Sequence, residues 1–138
     1  MATLQAKTTI QAEQKKAVLL ISPDEPDQEV LRGVFEEQSW TLFSSPSCGP
    51  ALRLLREVDI PVVMTEQELP VGDWRDVLEI MHLLPHRPLV IVTSRHADER
   101  LWAEALNLGA YDVLAKPFVK EQIVRAVGLA WLHWRDRE

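Results

Sequence analysis

Along this chain, short unbroken apolar runs alternate with longer segments whose apolar positions recur every three or four residues. The first run, Ala17-Val18-Leu19-Leu20-Ile21, is cut off by Ser22-Pro23. A run of that length without polar alternation fits a strand buried on both faces. From Pro26 the period changes. Val30, Leu31, Val34 and Phe35 line one side and Glu29, Arg32, Glu36 and Glu37 the other, which predicts an amphipathic helix. Trp40-Thr41-Leu42-Phe43 predicts a second strand. Ser47 to Glu57 predicts a second helix, with Pro50 near its start and Ala51, Leu52, Leu54 and Leu55 as its apolar positions.

Ile60-Pro61-Val62-Val63-Met64 reads as a third strand, its proline at the beginning where no ladder donor is needed. The turn Leu69-Pro70-Val71-Gly72 leads into a helix over roughly Asp73 to Leu83, capped by Asp73 and buried through Trp74, Val77, Leu78 and Met81. Pro85 and Pro88 bracket the connection to a fourth strand, Leu89-Val90-Ile91-Val92. Asp98 to Leu108 is the next helix, ended by Gly109 as a left-handed cap. Tyr111 to Leu114 is a fifth strand and Val119 to Trp134 the last helix. Because each parallel crossover needs a helix, this regular alternation selects an α/β, doubly wound parallel sheet covered on both faces. Residues 1–16 are polar and without a hydrophobic period, so they read as a flexible leader, and 17–138 as a single domain.

Composition adds mainly exclusions. Of the 138 residues, 46% are hydrophobic and 26% charged, the profile of a soluble globular domain. A net charge of -6 argues against nucleic acid or a membrane surface as the main partner. Cys48 is the one cysteine, which excludes an internal disulfide framework and a thiolate metal cluster; beside Gly49 and Pro50 it reads as a small residue at a helix start. No apolar run approaches the ~20 residues needed to span a bilayer. Met1 to Gln14 lack the apolar core of a signal peptide, so a cytoplasmic protein is expected.

In a sheet of this kind, ligand groups come from the carboxyl ends of the strands. Three runs stop abruptly at polar side chains: Val62-Val63-Met64-Thr65-Glu66, Ile91-Val92-Thr93-Ser94 and Leu114-Ala115-Lys116-Pro117-Phe118. Together with Ser22 and Asp24 after the first strand, they would gather a carboxylate, a hydroxyl and a lysine on one small anionic site. There is no glycine-rich phosphate loop, so nucleotide binding has no sequence support. His82, His86, His96 and His133 are scattered without metal-ligand spacing and read as surface or loop residues.

Those placed features resemble a response-regulator receiver domain, from about Ala17 to Trp134. Lys116-Pro117-Phe118 matches the lysine–proline motif after the fifth strand, and Gly109-Ala110 precedes it at the family's spacing. Ser94 falls at the hydroxyl position, and Pro70 lies where the family has a proline four residues after the phosphoacceptor. The resemblance implies a flavodoxin-like sheet of five strands in the order 2-1-3-4-5 with five helices. It also implies a cis bond before Pro117 and a phosphate pocket built from Ser94, Lys116 and Pro117.

The departures are chemical. Glu66 stands where the family carries the phosphorylated aspartate. The family's acidic pair after the first strand aligns with Ser22 and Pro23; Asp24 and Glu25 follow at once, so a one-residue bulge would return one carboxylate. Arg95 replaces a small residue after the hydroxyl, and Val113 stands at the aromatic switch position, with Tyr111 two residues earlier. Receiver chemistry needs Mg²⁺ held by carboxylates to neutralise the transferring phosphoryl group. Ser22 and Pro23 remove up to two of those charges, so Mg²⁺ binding is expected to be weak or absent and no cofactor is expected. The extra methylene of Glu66 moves its carboxylate by roughly 1.5 Å, and a misplacement of about 1 Å costs on the order of a hundredfold.

The expectation is therefore a pseudo-receiver, not an enzyme, that works through contacts with a signalling kinase or output protein. A Glu66–Lys116 charge pair, with Ser94 donating to the same carboxylate, would imitate part of the phosphorylated state; without a phosphate, Lys116 is otherwise a structural salt-bridge partner. The rival reading is a competent regulator phosphorylated by a histidine kinase, with Mg²⁺ on Asp24 or Glu25. A third is that the strand ends bind another small anion or metabolite. Plainer roles also exist: Ser94 as a cap for its loop, Arg95 as a solvated residue, Asp24 and Glu25 as acids near a helix start.

Of the tryptophans, Trp40 and Trp74 sit at apolar positions and read as core or half-buried. Trp102 in the fourth helix and Trp131 and Trp134 in the last belong to the face made by the fourth helix, fifth strand and fifth helix. In receiver-like proteins that face serves partners and dimerisation, where exposed tryptophans would be anchors. The competing reading turns Trp131 and Trp134, three residues apart, toward the sheet.

Overall fold

The apolar runs pair side by side as predicted. In the computed structural model, which describes residues 16–137, Ala17–Ile21 (β1), Thr41–Ser45 (β2), Val62–Glu66 (β3), Leu89–Ser94 (β4) and Asp112–Ala115 (β5) form one sheet. Every pairing is parallel and the order is β2-β1-β3-β4-β5. The expected leader, apart from Lys16, lies outside the described residues. Five helices cross between or follow the strands: Glu25–Gln38 (α1), Cys48–Glu57 (α2), Trp74–Met81 (α3), Glu99–Asn107 (α4) and Lys120–Asp136 (α5).

Because successive strand side chains point to opposite faces, the continuous apolar runs divide into two cores. Leu19, Ile21, Val63, Val90, Val92 and Val113 pack on one face against Ala51 of α2, Trp74, Val77 and Met81 of α3, and Leu101 and Ala105 of α4. Val18, Leu20, Val62, Met64, Ile91 and Leu114 pack on the other against Leu31 and Phe35 of α1 and Ile123, Val127 and Ala130 of α5. All five residues of β1 are buried, which is why this strand tolerates no polar alternation. Among the described residues, no helix is long and apolar enough to cross a membrane.

Local chemistry sets the helix ends. Asp24 accepts from the Asp27 amide at 3.2 Å, Asp98 accepts from the Leu101 amide at 2.8 Å, and Asp73 and Asp76 form a reciprocal capping box. Helix α4 ends where Gly109 adopts φ 105°, with Gly109 N donating to Leu106 O at 3.1 Å and Ala110 N to Ala105 O at 2.9 Å. That bond pair is a Schellman cap, so Gly109 is required by backbone conformation.

Strands β2, β3 and β4 reach further than their last apolar residue. Thr65 pairs with Val92, Glu66 with Thr93, and Ile21 with Ser45. The ladder is made by backbone groups and continues under polar side chains, which a reading of hydropathy stops short of. Helix α3 ends at Met81 instead of Leu83, and Leu83 stands in the following turn at 83% exposure. Replacing Ile91, wholly buried in the central sheet, with alanine is expected to cost about 2–5 kcal/mol in urea unfolding. Leu83→Ala should stay within about 0.5 kcal/mol.

Candidate functional site

Doubly wound sheets open a crevice beyond the strand ends where the order reverses. Here the reversal lies between β1 and β3, and a cleft of about 420 Å³ opens there, lined by Asp24, Glu66, Gln67, Ser94, Arg95 and Lys116 among others. At its floor the Lys116–Pro117 bond is cis, and Lys116 N donates to Ser94 O at 2.9 Å. The Lys116 side chain is only 6% exposed. Its Nζ donates to Asp27 Oδ2 at 2.5 Å and also to Glu66 Oε1. Burial works against the Lys116 charge, but its hydrogen bonds to Asp27 and Glu66, backed by their negative charge, outweigh it and hold its pKa above the ordinary lysine value.

The predicted Glu66–Lys116 pair is therefore present, and Asp27 is a member that sequence reasoning missed. Asp27 lies in the first turn of α1, on the same stripe as Leu31, Val34 and Phe35, the other buried residues of that helix. An acid at an apolar-stripe position was the available signal. Its place in the first helical turn also favours negative charge.

The residues after β1 take other roles. Ser22 is wholly buried; its Oγ accepts from Asp24 N at 3.1 Å and its carbonyl from Gln28 Nε2 at 3.0 Å, so it turns the chain into α1. Pro23 and Glu25 are exposed. The expected one-residue bulge does not occur, since β1 pairs in unbroken register and Ser22 N continues to Ser45 O at 2.9 Å. The further carboxylate that joins the site is Asp27, which meets Lys116. Asp24 lines the cleft and caps α1, and Asp24, Asp27 and Glu66 each place one carboxylate oxygen within 4.8 Å of the others.

The hydroxyl prediction needs correction too. Ser94 does not donate to Glu66; its Oγ donates to Gln67 Oε1 at 2.5 Å and accepts from His96 N at 2.9 Å. Glu66 is drawn toward Lys116, and the next residue takes its place beside Ser94. The loop-capping role foreseen for Ser94 is thus realised. Arg95 is exposed, as are His82, His86, His96 and His133. Val113 is buried in the core, whereas Tyr111 is half-buried with its ring edge against His133 at 5.3 Å.

The tryptophans divide unevenly. Trp74 is fully buried and Trp40 packs edge-on against Phe35 at 5.5 Å. Trp102 is 49% exposed, but Trp131 is only 7% exposed and Trp134 is half-buried. The Trp131 ring lies beneath Arg135 at 4.8 Å and Lys16 at 5.3 Å. As an exposed anchor on that face, only Trp102 of the three qualifies, because α5 turns its 127, 130, 131 stripe inward.

A family model described as the response regulator receiver domain matches residues 18–128. The C4-dicarboxylate transport transcriptional regulatory protein DctD of Rhizobium meliloti (strain 1021) is 29% identical over 111 residues, covering 80% of this chain and 24% of DctD. The two-component response regulator-like protein APRR3 of Arabidopsis thaliana is 28% identical over 125 residues, covering 86% of this chain and 24% of that protein. The chain thus spans about a quarter of the length of these curated relatives. Among solved structures, the beryllofluoride-activated NtrC4 receiver domain dimer superposes with a TM-score of 0.78 at 25% identity, covering 86% of this chain and 98% of that one. The signal receiver domain of an HD domain-containing protein from Pseudomonas fluorescens Pf-5 also gives 0.78 at 25% identity, covering 88% and 90%.

Removing Lys116 leaves two carboxylates facing each other in a part-buried site. Lys116→Met is expected to destabilise by about 3–5 kcal/mol in denaturant unfolding. A folded-state pKa above the unfolded one means this contribution is complete below the unfolded value, about 10.4, and is lost as pH rises through the folded value. The stability gap between wild type and Lys116→Met should therefore be level from neutral pH to about 10 and narrow only in stronger alkali.

Proposed function

Starting from the fact that this chain belongs to the response regulator receiver family of two-component signalling, we propose that it is a pseudo-receiver. On this reading it is a binding module, not an enzyme, and it works through protein contacts without phosphorylation at Glu66. The observation that carries the reading is the ion trio: Lys116 is held by Asp27 and Glu66 at once, so the chain's own carboxylates occupy the lysine.

The trio also bears on the family's metal. Magnesium demands a near-octahedral shell of oxygens. Two of the three carboxylates gathered here face the Lys116 ammonium, and Pro23, at the position of a family acid, carries no ligand atom. An ammonium and a divalent cation repel one another in the same seat, so the donor set does not suit the ion. No step of the proposed function passes through it. The partner would be a signalling kinase or an output protein. The α4–β5–α5 face, with Trp102 exposed on it, is the proposed surface for that protein or for a second copy.

The specific rival is a competent receiver, favoured by the close approach of Asp24, Asp27 and Glu66. Incubation with acetyl phosphate and Mg²⁺, followed by intact-mass measurement, separates the two. The expected result is an unchanged mass and, in parallel, no rise in Tm with millimolar Mg²⁺ alone. A stable phosphoryl mass gain mapped to Glu66 rejects the pseudo-receiver.

A further inference from the structure

Gln67 lies outside the ion trio, yet two routes lead from it to α4, one of hydrogen bonds and one that also uses a cation–π contact. The first runs through its side chain. Ser94 Oγ donates to Gln67 Oε1 at 2.5 Å and accepts from His96 N at 2.9 Å; His96 O accepts from Asp98 N at 2.9 Å, and Asp98 caps α4 through the Leu101 amide at 2.8 Å. The second runs through its backbone. Gln67 O accepts from Trp74 N at 3.0 Å at the start of α3. The Arg75 guanidinium lies over the Trp74 ring at 4.8 Å, bonds Asp73 at 2.9 Å and reaches Glu104 of α4 at 2.7 Å. Gln67 N is itself tied to Thr93 O at 2.9 Å, so the residue is pinned on both sides.

A serine hydroxyl has a single proton. With the His96 amide donating to Ser94 Oγ, that proton is committed to Gln67 and is unavailable to Glu66 or to an anion in the cleft. Gln67 is neutral, so the bond adds no charge to the trio beside it. Val113 is buried and aliphatic, so it offers no aromatic ring that could swing in response to Ser94.

We propose that Gln67 is an internal latch: it supplies the acceptor that holds Ser94, and through Ser94 and Asp98 it fixes the β4–α4 loop and the first turn of α4. This deepens the pseudo-receiver reading and rests on it for the claim that one conformation is maintained without modification. The position of α4, and with it the exposed Trp102, is then set by a residue of the chain itself.

Hydrogen exchange on the full chain tests it, using Gln67→Met, which keeps length but loses the oxygen, Ser94→Ala, and the double variant. The latch predicts that the His96 and Leu101 amides exchange about three- to tenfold faster in each single variant, as expected for one lost hydrogen bond. The double variant should be no faster than the singles, because both remove the same link. Amides of Leu31 and Phe35 in α1 should keep wild-type rates, which separates a local release from general loss of stability. Unchanged His96 and Leu101 rates, an additive double variant, or an equal acceleration in α1 would overturn the latch. If Gln67→Met does not fold, Gln67→Ala read at the same amides decides, because Ser94→Ala by itself also removes the acceptor of the His96 amide. A phosphoryl mass gain at Glu66 would sink the pseudo-receiver reading while leaving these exchange rates to be judged separately.

Discussion

An ammonium group is costly to take out of water, by several kcal/mol even after relaxation, and it stays charged inside only where opposite charges and hydrogen bonds meet it. Lys116 meets that condition with acids from two other elements: Asp27 on α1 and Glu66 at the end of β3. The trio therefore ties α1, β3 and the β5–α5 junction together at one point. It leaves a net negative charge in the cleft, shared over oxygens that face the lysine. Any cation or anion entering from solvent must compete with bonds already made.

That closed arrangement explains why the replacements around the site fit one another. Losing the strand-end acids to Ser22 and Pro23 would leave a buried lysine underpaired, and Asp27 supplies the missing charge from one helical turn further along. Lengthening the phosphoacceptor position to Glu66 lets a strand-end carboxylate reach the same ammonium. Moving Glu66 to Lys116 in turn frees Ser94, whose proton goes to Gln67. Each change makes sense of the next, which is the consistency expected of a sequence that specifies one state.

The surroundings of the trio are packed and tied as well. Val113 fills core space where a mobile ring would need a second position. Arg75 fastens α3 to α4 through Glu104. Trp131 is buried beneath Lys16 and Arg135, which shows how a helix carrying several aromatic residues still shows only part of them to solvent.

Hydropathy periods determined the architecture by themselves: five apolar runs separated by amphipathic segments leave a parallel sheet with two covered faces as the arrangement that buries all of them. Gly109, Asp73 and Asp98 marked helix ends because caps depend on backbone conformation and on residues a few positions away. The motif around Lys116 and Pro117 located the cleft for the same reason, since strand ends are marked along the chain. What the chain could not disclose was which acid would reach Lys116 and which acceptor would take the Ser94 proton. Asp27 and Lys116 are 89 positions apart, and Ser94 and Gln67 are 27 apart. Those choices, and the inward turn of Trp131, were decided only when packing placed the helices on the sheet, because hydrogen bonds of about 3 Å depend on how neighbouring elements are oriented and not on the pattern within any one of them.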